Sequence, residues 1–318
     1  MKSVFALAAL AGAASAASEL ESSFMAYITE FGKSYSTLSE FDFRMVQFAR
    51  THAVITEHNA SESSFELGHN QFSDWTHEEY KSILTNQETE ESDKIYEDAE
   101  IDLTANATPI NWVSKGAVNA IKDQKQCGSC WAFSAVSAME SAHKIKSGKL
   151  LSFAEQQLVD CSSAGSCNGG NVGAAFKYYE GKGAMAESKY TYTARNGTCK
   201  YSSSNTGVKS TGHKSVTSND PSAMKSALAG RPLSVGVAAD SSAFGNYKSG
   251  IFNSSSCGTS LDHATVVVGW GSSGGTDYWI MRNSWGTSWG EKGYMRLAIV
   301  SGAGICGIQK DASYPTTN

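Results

Sequence analysis

The sequence has no long apolar run and relatively few charged residues. Of its 318 residues, 18% are charged and 41% are hydrophobic, which excludes an intrinsically disordered chain and supplies ordinary apolar cores. No uninterrupted stretch reaches the roughly 18 apolar residues that a membrane-spanning helix needs. We therefore predict a globular protein with room for two domains, and neither a membrane nor a nucleic acid as a partner.

A complete metal-binding pattern is also missing. Cys127 and Cys130 form a Cys-x-x-Cys pair, which on its own is typical of half a zinc site or of a redox pair. Zinc would need a second Cys/His pair at ligand spacing, and the other five cysteines do not form one. We predict no metal and no cofactor. In an exported protein, seven cysteines indicate three disulfides and one free thiol.

The N-terminal residues have the pattern of a secretory signal. Lys2 supplies the positive start, residues 4–14 form the apolar core, and residues 14–16 are a small-residue cleavage site. The apolar core is too short and too rich in Ala and Gly to span a membrane. We predict that residues 1–17 are a signal peptide and that the protein enters the secretory pathway. A lysosome, a digestive vacuole and the extracellular space all remain open as its destination.

A thiol at the start of a predicted helix is the main chemical feature. After Cys130, apolar residues follow at helical spacing as far as Ile145, and Gly148 matches a C-cap. A cysteine in the first turn of a helix faces unpaired backbone N–H groups and the positive end of the helix dipole. Both favour the thiolate, which is the nucleophilic form. Cys130 is therefore the candidate nucleophile.

The residues around this thiol resemble papain-like cysteine peptidases, and within them the cathepsin L-like group. The string Cys-Gly-Ser-Cys-Trp at residues 127–131 matches the signature of that family, which expects His and Asn roughly 130–150 residues downstream. His263 lies 133 residues after Cys130, and Asn283 lies 153 residues after it. The resemblance implies an α+β papain-like fold, with a helical subdomain, a β-barrel-like subdomain and an active-site cleft between them.

The resemblance also assigns four catalytic residues. Cys130 would attack the peptide carbonyl as a thiolate paired with the His263 imidazolium, which would then protonate the leaving amine. Asn283 would orient the imidazole ring, and Trp285 would shield the His–Asn hydrogen bond from water. Gln124 and the backbone N–H of Cys130 would donate to the oxyanion of the tetrahedral intermediate.

Only three histidines follow residue 109, so the candidate base is well defined. His143 falls within the helix of the nucleophile, more than three turns from the thiol. His213 lies in a polar stretch, and we predict that both are surface residues. His263 stands at the head of a Val-rich predicted strand.

Two motifs before the thiol resemble the inhibitory propeptide of cathepsin L-like enzymes. The first is a helical pattern that places Glu40, Arg44, Phe48, Ile55 and Asn59 at the spacing of that family's long-helix motif. One position departs from it, because Thr51 stands where the family usually has Asn. The second motif, Gly-x-Asn-x-Phe-x-Asp, occupies residues 68–74. We predict that residues 18–108 are a helical propeptide that inhibits its own enzyme.

The segment from Thr85 to Thr108 has little periodicity and much negative charge, and we interpret it as a linker. By resemblance it would cross the cleft in a non-productive direction, although a solvated spacer explains its acidic half equally well. Residues 18–108 contain 5 Lys+Arg against 19 Asp+Glu, whereas residues 109–318 contain 20 against 12. We therefore predict that the propeptide docks partly by charge and is released faster by acid and salt.

The mature enzyme is predicted to span residues 109–318. In its first part, about residues 112–220, we predict two further helices, one opened by a capping box of Ser152 and Glu155 and one around residues 172–179. The second part, about residues 221–318, carries β-type runs separated by Gly/Ser turns, which indicate a sheet or an open barrel.

The resemblance implies further site residues. The substrate-binding positions are Gly169, Gly170, Val172, Gly236, Leu261, Ala264, Trp285 and Asp311. The walls of the S2 pocket would favour Leu, Val or Phe at P2. Asp311 at its end would accept Arg, face solvent, or pair with Lys310 or another cation. The implied disulfides are Cys127–Cys167, Cys161–Cys199 and Cys257–Cys306, a pairing that the sequence alone leaves open. The Asn-x-Ser/Thr triplets, which are candidate glycan acceptors, begin at Asn59, Asn106, Asn196 and Asn253.

These observations predict a cysteine endopeptidase that is made as an inactive precursor and hydrolyses proteins and peptides. One alternative is a catalytically inactive homologue that acts as a binding protein, but all four catalytic positions are filled. The other is an exopeptidase of the same fold. It would need a loop that blocks one end of the cleft, and the short segment at residues 202–208 offers none. We expect a monomer that cystatin-type inhibitors bind.

Overall fold

The structure, a computed structural model, describes residues 19–96 and 108–317. The predicted signal peptide, the glycan candidate Asn106 and linker residues 97–107 lie outside the described residues, whereas the acidic run at residues 88–93 lies within them. The described chain combines α-helices with a large, mostly antiparallel sheet, so the fold is α+β.

The predicted propeptide is a helical hairpin followed by a strand and a short helix. Its elements are α1 (residues 19–31), α2 (Leu38–Asn59), β1 (Phe65–Leu67) and α3 (His77–Lys81). The two long helices pack on a buried aromatic cluster of Phe24, Tyr27 and Phe48. The strand β1 was not expected from the sequence.

Motif residues hold the propeptide together. The buried Asp74 carboxylate accepts hydrogen bonds from the Tyr27 hydroxyl and the Lys33 ammonium, both at 2.7 Å, and from the Tyr35 hydroxyl at 2.8 Å. Arg44 of α2 donates two hydrogen bonds to Glu79 of α3, at 2.6 and 2.7 Å. Charge-assisted and bidentate bonds of this kind fix geometry as well as adding stability.

Three helices form most of the first part of the mature region: α4 (Cys130–Ser147), α5 (Glu155–Cys161) and α6 (Val172–Gly181). The first two-thirds of α4 is buried, and the helix ends, as predicted, at Gly148 in the left-handed conformation (φ 77°). The predicted capping box is wrong. Ala154 precedes α5 without a side-chain cap, and the Ser152 hydroxyl donates instead to Glu187. Glu155 cannot cap α5 because its buried carboxylate pairs with a lysine.

The main sheet carries the rest of the mature region. Its strand order is β1-β9-β12-β11-β10-β8-β13-β7, and β2 pairs with β10. The strands are β2 (Ile110–Asn111), β7 (Ser210–Ser215), β8 (Leu233–Val237), β9 (Tyr247–Phe252), β10 (His263–Ser273), β11 (Thr276–Arg282), β12 (Tyr294–Ala298) and β13 (Ala312–Thr317). Helices α7 (Pro221–Gly230) and α8 (Ser242–Gly245) interrupt the strand sequence. Short strand pairs β3 (Gly165–Ser166) with β4 (Gly169–Gly170) and β5 (Ala184–Met185) with β6 (Thr206–Val208) lie apart.

The sheet begins earlier in the chain than the sequence suggested. Strand β7 precedes residue 221 but pairs with β13, the C-terminal strand. Separate apolar clusters fill the two parts of the mature region, one around α4 and α6 and one beneath the sheet. The propeptide residues Tyr80, Ile83 and Leu84 belong to the cluster beneath the sheet.

A buried charge cluster lies just before the candidate oxyanion donor. The Lys122 ammonium is 2.8 Å from Glu155, 3.0 Å from Glu187 and 3.4 Å from Glu140. Burial lowers the pKa of Lys122, but the three carboxylates raise it more, so the pKa stays above its usual value. Burial raises the pKa of Glu155 to about 7, against the opposing effect of Lys122.

We predict that Lys122→Met destabilises the precursor by about 3–5 kcal/mol, because it leaves buried carboxylates without their cation. The matched control is Lys125→Met, which removes only an exposed pair with Asp123 and should cost less than about 1 kcal/mol. Urea unfolding of both variants at pH 7, made in the Cys130→Ser background, measures the difference. Equal losses would contradict a special role for the buried cluster.

Candidate active site

His263 and Asn283 meet because adjacent strands carry them. His263 is the first residue of β10, and Asn283 follows the last residue of the antiparallel neighbour β11. The His263 Nε2 lies 2.8 Å from the Asn283 Oδ1, which also accepts the Ser284 N–H at 2.8 Å. The Trp285 ring stacks on the imidazole with centroids 4.6 Å apart. The other ring nitrogen, Nδ1, has no hydrogen-bond partner within residues 19–96 and 108–317.

Cys130 is the first residue of α4, and it is fully buried in this form of the protein. The backbone N–H groups of Ala264, Thr85 and Trp131 interact with its thiol. All seven cysteines lie in the described residues, and Cys130 alone is free. The disulfides are Cys127–Cys167, Cys161–Cys199 and Cys257–Cys306, the three pairs that the resemblance implies.

Burial disfavours the charged forms of both the Cys130 thiol and the His263 imidazole. It raises the pKa of the Cys130 thiol more than the surrounding N–H groups lower it. It also lowers the pKa of His263 to about 4, although the bond to Asn283 acts in the opposite direction. Desolvation disfavours the charged form of either group. At mild pH this form therefore contains a neutral thiol and a neutral imidazole.

The Gln124 side chain is fixed at both ends. Its Oε1 accepts from the Ser284 hydroxyl at 2.7 Å, and its Nε2 donates to the carbonyl oxygens of Cys127 at 3.0 Å and Ile83 at 3.1 Å. Ile83 belongs to the predicted propeptide. A propeptide carbonyl thus takes the amide N–H that the resemblance assigns to the oxyanion.

The propeptide continues along the groove through backbone hydrogen bonds. The Gly170 N–H donates to the Thr85 carbonyl at 3.2 Å, and the Gln87 N–H donates back to the Gly170 carbonyl at 2.9 Å. This contact is a parallel bridge between Asn86 and Gly170. At one end Phe72 packs on Trp285, and at the other the Thr89 N–H donates to the Asp311 carboxylate at 2.9 Å.

The predicted substrate-binding residues lie along this path. A Cβ on Gly169 would come within 2.5 Å of the Thr85 carbonyl oxygen, and one on Gly170 within 2.5 Å of the Trp131 ring. Leu261 is half-buried, and a Cβ on Gly236 would contact both it and Asn86, at 2.8 and 3.6 Å. Val172 and Ala264 are buried in the apolar cluster that contains Cys130. Burial raises the pKa of Asp311, while the Thr89 N–H and the Lys94 charge lower it.

The structure corrects the prediction that His213 is a surface residue, and it adds Ser284 to the site. His213 is not at the surface, since only 9% of it is exposed and its ring packs 5.9 Å from Phe176 with Nδ1 3.4 Å from Glu180. His143 is partly buried on α4. Sequence reasoning also missed Ser284, which orients Gln124. Nothing in the sequence around Ser284 indicates that its hydroxyl contacts Gln124.

The opposite net charges of the propeptide and the rest of the chain are only partly reflected in individual contacts between them. Four carboxylate contacts join the two within the described residues: Glu66–Lys248, Glu88–Lys310, Lys81–Asp240 and His77–Asp240, the last an ion pair only when His77 is protonated. Two of them have the expected polarity, and two have the reverse. The predicted salt effect on docking must therefore arise mainly from the long-range field, and it stays a prediction.

Two known protein families match parts of this sequence. A family model described as papain family cysteine protease matches residues 106–316, and one described as cathepsin propeptide inhibitor domain (I29) matches residues 24–80. The chain belongs to the papain family of cysteine proteases. It is a zymogen of the cathepsin L-like type, whose propeptide is an intramolecular inhibitor.

Relatives of this papain-family protease cover nearly all of its length. It is 40% identical to cysteine proteinase COT44 of Brassica napus, over 92% of this chain and 95% of that protein. It is also 40% identical to probable cysteine protease RD21C of Arabidopsis thaliana, over 91% of this chain but 66% of that longer protein. The solved structure of recombinant stem bromelain precursor superposes with a TM-score of 0.87 at 38% identity, and the match covers 94% of this chain and 99% of that one.

None of the helices in residues 19–96 and 108–317 is long and apolar enough to cross a membrane. Over the same residues, no group of His, Cys, Asp and Glu side chains has an arrangement that could hold a metal ion.

The electrostatics of the protease zymogen predict acid-promoted exposure of Cys130. The pKa of His263 is about 4 under the propeptide against its usual 6.5, so the docked state holds its stability above pH 6.5 and loses it progressively towards pH 4. We expect a neutral epoxide to alkylate Cys130 in the intact precursor slowly at pH 7 and faster near pH 4–5. Intact mass, which separates labelled precursor from processed enzyme, measures the rate.

The control is the same precursor unfolded in urea with its disulfides intact. Its thiol has an ordinary pKa, so its alkylation must slow as the pH falls. A folded precursor that follows the urea profile would contradict protection by burial.

Proposed function

We propose that the protein is an endopeptidase of the secretory or vacuolar system in which Cys130, His263, Asn283 and Gln124 carry catalysis. The arrangement of His263 supports this best, because Asn283 holds one ring nitrogen while the other is left without a partner in the described chain. We propose residues 1–17 as the signal peptide, 18–108 as the propeptide and 109–318 as the mature enzyme.

Release of the propeptide would start catalysis by letting water reach the site. With the burial removed, the pKa of Cys130 falls and that of His263 rises, so the proton moves from the thiol to the imidazole. The resulting thiolate–imidazolium pair is nucleophilic at acidic pH. Release also frees the Gln124 Nε2 from the Ile83 carbonyl.

In the first step the Cys130 thiolate forms a bond to the carbonyl carbon of the substrate, and the carbonyl oxygen becomes an oxyanion. Gln124 Nε2 and the Cys130 N–H donate to that oxygen. The His263 imidazolium then gives its proton to the amide nitrogen, the C–N bond breaks, and the amine leaves a thioester behind. Water then attacks the thioester carbonyl while the neutral imidazole takes its proton, the C–S bond breaks and the carboxylic acid leaves. This restores the Cys130 thiolate and the His263 imidazolium.

The path of the propeptide supports endopeptidase rather than exopeptidase action. Residues 72–96 enter the groove beside Trp285 and continue beyond Asp311 to a bridge between Tyr96 and Ser215, so both ends of the groove admit a chain. The segment at residues 202–208 ends in β6, which pairs with β5. With P2 assigned to the Asp311 end, a substrate would run opposite to the propeptide.

We further propose a monomer that cystatin-type inhibitors can bind in the groove. Among the glycan candidates, the Asn59 amide is occupied by both the N–H and the carbonyl of Leu67, at 3.0 and 2.8 Å. The Asn196 side chain accepts the Cys167 N–H at 2.8 Å. Asn253 is exposed on the loop after β9.

Acid activation of the secreted precursor, followed by substitution at each catalytic position, tests this function. We expect one equivalent of epoxide to label Cys130 and abolish activity, and Cys130→Ala to be inactive. Gln124→Ala should lower kcat by about 10²–10³, because one oxyanion donor is lost. Asn283→Ala should cost less than loss of the thiol, because the Cys–His pair remains. The neighbouring Gln126→Ala is the control. Activity retained by Cys130→Ala would refute the mechanism.

Asp311 is the proposed determinant of specificity at the end of the S2 pocket. In the zymogen it faces the groove, where a propeptide N–H binds it and the Lys94 charge acts on it. A substrate Arg at P2 could replace both interactions. Because desolvation removes part of such a pairing energy, Arg should be accepted beside Leu rather than exclusively.

We predict that the ratio of kcat/KM for paired P2-Arg and P2-Leu substrates rises from pH 4 to pH 7, because the Asp311 carboxylate must be ionised to pair with the Arg side chain. Asp311→Ala should lower the ratio by about tenfold, roughly 1.4 kcal/mol. Lys310→Ala, at the adjacent residue, should leave it unchanged. A ratio that is insensitive to Asp311 would place this carboxylate outside the pocket.

A further inference from the structure

Strand β9 is the second strand of the main sheet only because the propeptide covers it. Strand β1 is the terminal strand and pairs with β9, while β12 pairs with the other side of β9. Beside the ladder, the Ile251 N–H donates to the Ser64 carbonyl and the Gly68 N–H donates to the Asn246 carbonyl, both at 2.8 Å. Release of the propeptide therefore leaves β9 as an edge with unpaired backbone groups.

The side chains of β1 show which chemistry this edge accepts. Phe65 and Leu67 are 7% and 2% exposed, and the Phe65 ring lies 4.5 Å from that of Phe252. Glu66, between them, points to solvent, where its carboxylate accepts from the Ser249 hydroxyl at 3.2 Å and lies 4.0 Å from Lys248. The bound strand is thus extended and alternates apolar, acidic and apolar residues.

A glycine in β9 permits the close approach of the bound strand. Gly250 has φ 96°, and a Cβ there would lie 2.5 Å from the Ser64 carbonyl oxygen and 2.6 Å from the Phe65 Cα. Only a residue without a side chain allows a second backbone at this distance. The edge is therefore shaped to bind a strand.

This edge lies a few residues of chain away from the catalytic groove. After β1, the Asn70 amide donates to the Gly245 carbonyl at 2.7 Å, and the Gln71 amide donates to the Trp285 carbonyl at 2.5 Å. Four residues therefore connect Leu67 with the Trp285 end of the groove. An unfolded polypeptide bound at β9 would be held beside that end at high effective concentration.

We propose that, in the processed enzyme, β9 binds extended apolar–polar–apolar segments of unfolded protein substrates by β-strand addition, outside the catalytic groove. This inference rests on the proposed endopeptidase function, because it assigns that function a substrate class. A short peptide substrate cannot occupy the edge and the catalytic groove at the same time, so the tighter binding is confined to protein substrates.

Binding is tested on enzyme processed from the full-length precursor and alkylated at Cys130, so that catalysis plays no part. A fluorescent peptide of residues 62–70 should bind, and the same peptide with Phe65→Ser and Leu67→Ser should bind at least about tenfold more weakly, roughly 1.4 kcal/mol. An unrelated peptide with Tyr-Asp-Val at positions 65–67 should compete, and its scrambled form should not. The unprocessed Cys130→Ser precursor, in which β1 occupies the edge, should not bind.

Backbone methylation distinguishes strand addition from simple apolar contact. N-methylation at Gly68 removes the donor to the Asn246 carbonyl and should weaken binding by about tenfold. N-methylation at Leu67 is the matched control, because its N–H points to the Asn59 side chain rather than to β9. Equal effects of the two methyl groups would overturn the proposal.

Kinetics complete the test on active enzyme. The 62–70 peptide should raise KM for a reduced and alkylated protein while leaving kcat/KM for a fluorogenic dipeptide substrate unchanged. Equal inhibition of both substrates, or no change in KM for the protein, would refute a separate edge site. Dimerisation of the processed enzyme that the peptide reverses would show that a second copy is the occupant and would also refute it. Inactivity on both substrates would refute the endopeptidase function, while the binding result still decides the edge site.

Discussion

Desolvation of the Cys130 thiol and the His263 imidazole is the constraint on which the rest of the zymogen depends. A charged pair in this position would be costly without water, and the structure instead keeps both groups buried and neutral beneath the propeptide. The same two groups, once hydrated, would be the reactive pair. In the proposed mechanism, inhibition and activity therefore differ in whether solvent reaches Cys130 and His263, whose positions β10, β11 and α4 already fix.

The propeptide blocks this geometry chiefly with backbone atoms. Carbonyl groups of Ile83 and Thr85 take donors from Gln124 and Gly170, and the N–H groups of Thr85 and Thr89 face Cys130 and Asp311. Apolar propeptide residues that precede the groove segment in the sequence pack into the cluster beneath the sheet, and this packing holds the backbone contacts in place. The docking surface thus combines side-chain anchoring outside the groove with main-chain recognition inside it.

The sequence predicted the parts whose local pattern is strong. The helix from Cys130 to its Gly148 cap and the Val-rich strand that begins at His263 are correct because their periodicity and capping agree with the fold. Strands β7, β9 and β13 were not predicted, since Ser, Thr, Gly and Lys dilute their β pattern and tertiary pairing decides them. The prediction of a capping box was wrong because the Glu155 carboxylate pairs with Lys122 in the buried charge cluster. Long-range contacts such as Ser284 with Gln124 have no local signature at all.

The glycines of the groove make the enzyme side of the inhibitory contact less tolerant of substitution than the propeptide side. At Gly170 a Cβ would collide with the ring of Trp131, and at Gly169 one would collide with the bound main chain itself. The propeptide strand presents carbonyl and N–H groups there, which every residue except proline carries equally well. Substitutions of the exposed Gln87 can therefore accumulate without loss of inhibition. Thr85 and Asn86 are more constrained, because the Thr85 hydroxyl donates to the Gly128 carbonyl and Asn86 is buried, and the enzyme side of the contact has almost no alternatives.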